Sequence, residues 1–353
     1  MKTKLLTAGF LLAASASPIT QANFLGVGWD PLGNSTPTVD LGAMDWQPTS
    51  FAAKGGNTAI LNSAINAQTG SHLSTDFIVY SHTKLGTTAD PFDNSNTPSG
   101  LNTAYEYTMV LSYVESVTSV NTVGLGSATF LTSYSGASFL EIYYGATRDS
   151  NSSSGFGFRN GTLVMKGILD TSVPAATGSF AISNATLVNL DQTGDGNQYT
   201  GQKTQSGQGI NGELAWKITG QDYRFFTTPI DILNIANISQ TLPFRTVNPS
   251  DCYTVNTVGV IGSTVTDTEC NNVHVNAPLN PATQPLAGFG GFVPNSGPSN
   301  TTLTGVDANH DFIAQTDFNS TLTAKQIPEP SSVLLLGVSL LGLLGFSSRR
   351  KMS

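Results

Sequence analysis

The sequence predicts an all-β protein, built as an antiparallel β-sandwich. Three observations point there. Short runs rich in β-branched and aromatic residues recur with period-2 alternation. Clusters of Gly, Pro, Asn, Asp and Ser separate these runs. The vocabulary of a helical bundle is missing, since only 11% of the 353 residues are charged, against about 25% in ordinary globular domains.

The strand runs can be taken in order. Tyr105–Val117 is the longest, and Phe139–Tyr144, Leu163–Leu169 and Phe180–Leu190 follow. Leu214–Thr219, Tyr223–Thr228, Val255–Val265 and Phe312–Ala324 complete the set. Such residues suit a pleated, half-buried surface. Asn57–Ala67 reads as either a short helix or a loop edge. Asn160-Gly161, between apolar runs, predicts a tight hairpin. Three polar stretches read as loops: Asp90–Leu101, Thr193–Gly212 and Val275–Leu303.

Both ends read as addresses. Lys2 and Lys4, an apolar run over Leu5–Ala14 and small residues up to Ala22 make a secretory signal over 1–22, cleaved after Ala22. At the other end Pro328-Glu329-Pro330 precedes an apolar stretch and the cluster Arg349-Arg350-Lys351. A helix over Ser331–Ser348 would be roughly 27 Å long, enough for a bilayer core. The basic cluster would act as the membrane stop on the cytoplasmic side. The organisation expected is a signal helix over 1–22, an exported all-β domain over 23–326, and a tail over 327–353 with a single transmembrane helix.

This tail resembles the PEP-CTERM sorting signal: Pro-Glu-Pro, a short hydrophobic helix and a terminal arginine cluster, in that order. The resemblance implies a Gram-negative bacterial protein, exported, held transiently in the inner membrane and processed by an exosortase that recognises Pro328, Glu329 and Pro330. The prolines themselves bar a helix from extending outward and keep the junction extended.

A second resemblance lies in the body. Phe139-Leu140-Glu141-Ile142-Tyr143-Tyr144, then Gly155-Phe156-Gly157-Phe158-Arg159-Asn160-Gly161-Thr162-Leu163, is similar to flocculation-associated PEP-CTERM proteins. Asp311–Asp317 resembles their final strand. It implies a cell-surface or matrix role in aggregation or biofilm assembly, with exopolysaccharide or other cells as partners, and no catalytic residues.

Charge excludes some partners. The segment 23–327 holds 10 basic and 22 acidic residues, a net charge of −12. That is no footprint for nucleic acid. Cys252 and Cys270, in an exported segment, are expected to form a disulfide. Asp191–Gly196 and Asp307–Asp311 only partly match calcium loops and read as turns, so no metal and no cofactor is expected.

Enzyme chemistry lacks parts. His72, Asp76 and His82 share a parity, but along one strand they would spread over about 33 Å. Glu106, Glu115, Glu141 and Glu213 sit in or beside strands and read as outward-facing residues. A polysaccharide-binding module is the alternative. Its platform would come from Trp29 and Trp46, or from whichever of Tyr143 and Tyr144 faces outward. The sequence thus predicts a non-enzymatic, exported surface protein acting through non-catalytic contacts. An extracellular glycan hydrolase would instead need two carboxylates about 5–9.5 Å apart in a cleft.

Overall fold

The computed structural model describes residues 26–35, 38–47, 49–121, 127–150, 157–189, 203–237, 242–245, 261, 302–303, 306–307, 312–316 and 318–325. The expected signal segment, the sorting tail, Cys252 and Cys270 lie outside these residues.

β1 (Val27–Trp29) and β2 (Val39–Leu41) pair as a small ribbon. β3 (Ala43–Trp46), β4 (Thr49–Lys54) and α1 (Gly56–Thr69) follow. β5 (Asp76–Ala89) and β6 (Glu106–Asn121) pair from Asp76↔Ser116 to Lys84↔Thr108. Next come β7 (Ser127–Ser133), β8 (Phe139–Gly145), β9 (Thr162–Leu169) and β10 (Thr177–Asn189). β11 (Lys203–Asn211), β12 (Leu214–Gln221), β13 (Ile230–Asn237) and β14 (Leu242–Arg245) continue the chain. β15 (Thr302–Leu303) pairs with β16 (Val306–Asp307), and β17 (Phe312–Thr316) and β18 (Phe318–Ala324) come last.

The all-β class stands, but the sandwich does not. The strands close on themselves. Around the order β5-β3-β18-β13-β12-β9-β8-β6, the β5–β6 pairing joins the ends into an eight-stranded barrel. A second circuit, β5-β4-β17-β14-β11-β10-β7-β6, runs through that same pair. The two share β5 and β6 because each of these strands is long enough to serve both. Leu85–Ala89 of β5 pairs with β3 and Ile78–Ser81 with β4. Glu106–Ser112 of β6 pairs with β8 and Val114–Asn121 with β7. Closure removes the unpaired edges that two stacked open sheets would keep.

The expected transmembrane helix, over 331–348, lies outside the described residues. Among the described residues no helix is long and apolar enough to cross a membrane. α1 is the described helix, and it is short and rich in Asn and Thr. Gly55 and Gly70, both in the left-handed region at φ 80 and 70, bound it. Ala59 and Ile60 bury its inner side, which packs on β6 and β5. The side-chain amides of Asn62 and Asn66 donate to the carbonyls of Ser74 and Leu73 and tie the helix to the start of β5.

The apolar core is aromatic. Trp29, Trp46, Trp216, Tyr107 and Phe226 are each at most 1% exposed. Trp46 Nε1 donates to Ser320 Oγ at 2.9 Å, joining β3 to β18 from inside the wall. Three local expectations are corrected. Asn160-Gly161 turns no hairpin: residues 157–161 are bends that lead into β9. Tyr223–Thr228 is a turn with one bridge, Phe226 to Trp29. The polar stretch 193–212 contains β11, which pairs with β10 despite its Gln, Gly and Ser content.

Candidate functional site

The described residues concentrate buried charge on the outer face of the barrel. In register across the wall lie His82 on β5, Val110 on β6, Glu141 on β8 and Lys166 on β9. Leu140 and Ile142 flank Glu141 in sequence and fill the core, so alternation turns Glu141 and Tyr143 outward. Outward does not mean wet here. Glu141 is 1% exposed, and His82 and Arg159 are each 3% exposed.

The segment 157–161 supplies the cover. The Phe158 ring lies over His82, centroids 4.2 Å apart. Thr108 Oγ1 donates to the Phe158 carbonyl at 2.7 Å. Arg159 Nη2 sits 3.8 Å from Glu141 Oε2, and the Tyr143 hydroxyl donates to the same oxygen at 2.6 Å. Burial, then the negative charge of Glu141, pushes the Tyr143 hydroxyl well above the ordinary tyrosine range. Tyr143 therefore stays a proton donor to Glu141 at any ordinary pH.

A second buried carboxylate holds the start of the same loop. Glu106 Oε1 accepts from the backbone N–H of Asp149 and of Ser150, both at 3.0 Å, and Oε2 accepts from Ser150 Oγ at 2.6 Å. Asn160 Nδ2 donates to Asp149 Oδ2 at 2.8 Å. Gly157, at φ +84, passes so close that a Cβ would lie 2.5 Å from the Asp149 carbonyl oxygen. The loop is thus clasped to the wall at Glu106 and at Glu141.

The other sequence candidates separate. His72 is exposed in the coil before β5, Asp76 opens β5 and accepts a hydrogen bond from Ser116 Oγ, and His82 lies on the covered face. Glu115 is on β6 about 30 Å along the strand from Glu106. Burial raises its carboxyl to about 7, against a lowering hydrogen bond from Tyr113. Glu213 is exposed beside β12. Among the described residues no cluster of three or more His, Cys, Asp or Glu is placed to hold a metal. Of the two expected turns, Asp191–Gly196 lies outside the described residues, and only Asp307 of the other falls within them.

The expected aromatic platform is not displayed. Trp29 and Trp46 are core residues. Tyr143 faces outward and is covered, while Tyr144 is half-buried among Tyr105, Tyr107 and Phe225. Nothing in the sequence signals the cover, because docking of a loop has no periodicity.

β18 carries the chain out of the barrel. The Lys325 N–H donates to the Pro229 carbonyl at 2.8 Å. From the next residue, positions 326–351 match the family model for the PEP-CTERM protein-sorting motif. The chain carries an exosortase sorting signal. The PEP-CTERM motif includes Pro328, Glu329 and Pro330, and it implies processing by an exosortase, export, membrane-associated sorting and then a surface location. No curated protein and no solved structure matches the chain.

Proposed function

We propose that this PEP-CTERM protein promotes aggregation of the cells that export it, as in flocculation or biofilm assembly. It acts by non-catalytic contact with exopolysaccharide or with neighbouring cells. The observation that carries the proposal is the direct join of a closed barrel to a sorting signal, with Lys325 still hydrogen-bonded to the wall. The sorting signal therefore carries the whole barrel with it. Low charge supports an adhesive role. With 11% charged residues, amides and hydroxyls can bond a glycan without strong long-range repulsion. Two of the three sequence runs similar to flocculation-associated proteins, 139–144 and 155–163, meet at Glu141 and Arg159.

The test is a deletion strain complemented with the wild-type chain or with Pro328, Glu329 and Pro330 replaced by alanine. Cell fractions are blotted and clumping is scored. The expected outcome is retention of the unprocessed variant in the inner membrane and loss of clumping. Normal maturation and normal clumping of the variant would refute the proposal.

A further inference from the structure

The barrel has one end from which the sorting signal leaves, and the register identifies it. Ala324, the last residue of β18, pairs with Ile230, the first of β13. The neighbouring strand ends are Gln221, Thr162, Gly145, Glu106, Ala89 and Ala43. The described loop residues on this end are therefore 90–105, 146–150, 157–161 and 222–229. The β1–β2 ribbon lies across the same end, since the Asp30 N–H donates to the Phe225 carbonyl and the Gly42 N–H to the Ala89 carbonyl. The second circuit lies toward the opposite end of β5 and β6.

Among the described residues the exposed aromatic side chains of the apolar set lie on the exit end. Among those same residues the exposed large apolar side chains are Leu32, Leu73, Ile78, Phe92, Ile168, Val173 and Tyr223. Four of these lie toward the far end and are aliphatic. The two aromatic ones, Phe92 at 70% and Tyr223 at 61% exposed, are both on the exit end with Leu32. Each of these three sits one or two residues after an aspartate that holds its turn. Asp30 Oδ1 accepts from the Leu32 N–H at 3.1 Å, and Asp90 Oδ1 from the Phe92 N–H at 2.8 Å. Asp222 Oδ1 accepts from the Arg224 N–H at 3.0 Å, with Tyr223 between them. Three separate loops thus display an apolar side chain on a stiff turn, which lowers the ordering cost of a contact.

We infer that this end rests on the lipid surface during sorting, with Leu32, Phe92 and Tyr223 entering the headgroup–acyl boundary. The length of free chain argues for lipid. Only Gln326 and Ile327 separate Lys325 from Pro328, so the motif is within about 10 Å of the barrel wall. A body held that close to a membrane-associated processing site has this end against the bilayer. Aromatic side chains favour that boundary. Charge does not drive the contact, since the exposed Arg148, Arg224 and Lys325 stand among the exposed Asp40, Asp93 and Asp149. The docking should therefore resist salt.

The test uses the full chain in phosphatidylcholine–phosphatidylglycerol vesicles with plain or brominated acyl chains. Phe92→Trp, Tyr223→Trp and, for the far end, Ile168→Trp are compared. Trp29, Trp46 and Trp216 are buried and give a constant background. Brominated lipid should reduce the added emission of the first two chains about two-fold, in low and high salt, and leave the Ile168→Trp chain unchanged. Equal quenching of all three, or none in chains that float with the vesicles, overturns the docking and leaves the sorting signal intact. Chains that fail to float with vesicles overturn membrane-held sorting as well. A blue shift of Phe92→Trp with exopolysaccharide, or only with a co-reconstituted exosortase, reassigns the face and likewise overturns the lipid contact.

Discussion

Arg159 lies over Glu141 with 3.8 Å between Nη2 and Oε2, and each side chain is at most 3% exposed. One comes from the loop and one from β8, so this pair fixes the loop to the barrel wall. Breaking a buried pair from one side leaves a charge stranded. Arg159→Ala should cost about 3 kcal/mol of stability, measured by urea unfolding. A Glu141→Leu, Tyr143→Phe, Arg159→Leu chain, which also removes the hydroxyl that would lose its acceptor, should recover most of that loss. If the triple variant is no better than the single, the pair is not what holds the cover.

Glu106 satisfies three donors of the same loop from the other side. Glu106→Ala strands two backbone N–H groups and a hydroxyl at a buried position. The expected loss is about 3 kcal/mol. Hydrogen exchange should also quicken at the amides of Asp149 and Ser150, while Glu141 and Arg159 keep their contact. Glu106→Gln, which retains an acceptor oxygen, should fall between.

The strands were readable where burial alternates within one element. β8, with Leu140 and Ile142 inward, and β9, with Val164 inward, follow the period of their own residues. α1 was only half legible, since the stretch 57–67 reads equally as a loop edge until Gly55 and Gly70 are seen to bound a helix. Closure was not readable. It depends on pairs such as β3 with β18, where Trp46 meets Ser320 across 274 residues. Alternation reports that one face is buried, and it is silent on whether the first and last strands meet. Tyr143 shows the same limit in the site. Adjacency required one of Tyr143 and Tyr144 to face outward without saying which, and Phe158 and Arg159 arrive over Tyr143 from a loop whose docking leaves no periodic trace.

Gly157 tests how tightly that loop must pass. Its φ of +84 is unfavourable for an L side chain, and a Cβ would meet the Asp149 carbonyl oxygen at 2.5 Å. The obstruction is backbone, so no rotamer relieves it. Gly157→Ala should cost more than about 2 kcal/mol. Limited proteolysis should then cut within 146–161 well before the barrel unfolds. Gly70, also at positive φ but with nothing within 4 Å of a Cβ, is the control. Gly70→Ala should cost only the conformational part, about 1 kcal/mol.

Glu115 gives stability a pH dependence whose sign is opposite to that of the turn aspartates. Its folded carboxyl is raised to about 7 by burial, against the ordinary value of 4.5. The folded chain therefore holds a proton that the unfolded chain has released. Stability should fall as pH rises from about 4.5 to 7 and then level off. Asp90 is held below its ordinary value by hydrogen bonds from Asn94. Asp222 is lowered as well: burial raises it, and the Arg224 hydrogen bonds and charge outweigh that. These two stabilise above the ordinary aspartate value, and their contribution is lost as pH falls through their depressed values. The two effects occupy separate windows, so one substitution separates them. Glu115→Gln should remove the decline between pH 4.5 and 7 and leave the acid limb below pH 4 in place. Urea midpoints measured from pH 3 to 8 check both. An unchanged slope between pH 4.5 and 7 in the Glu115→Gln chain would mean that another buried group carries it.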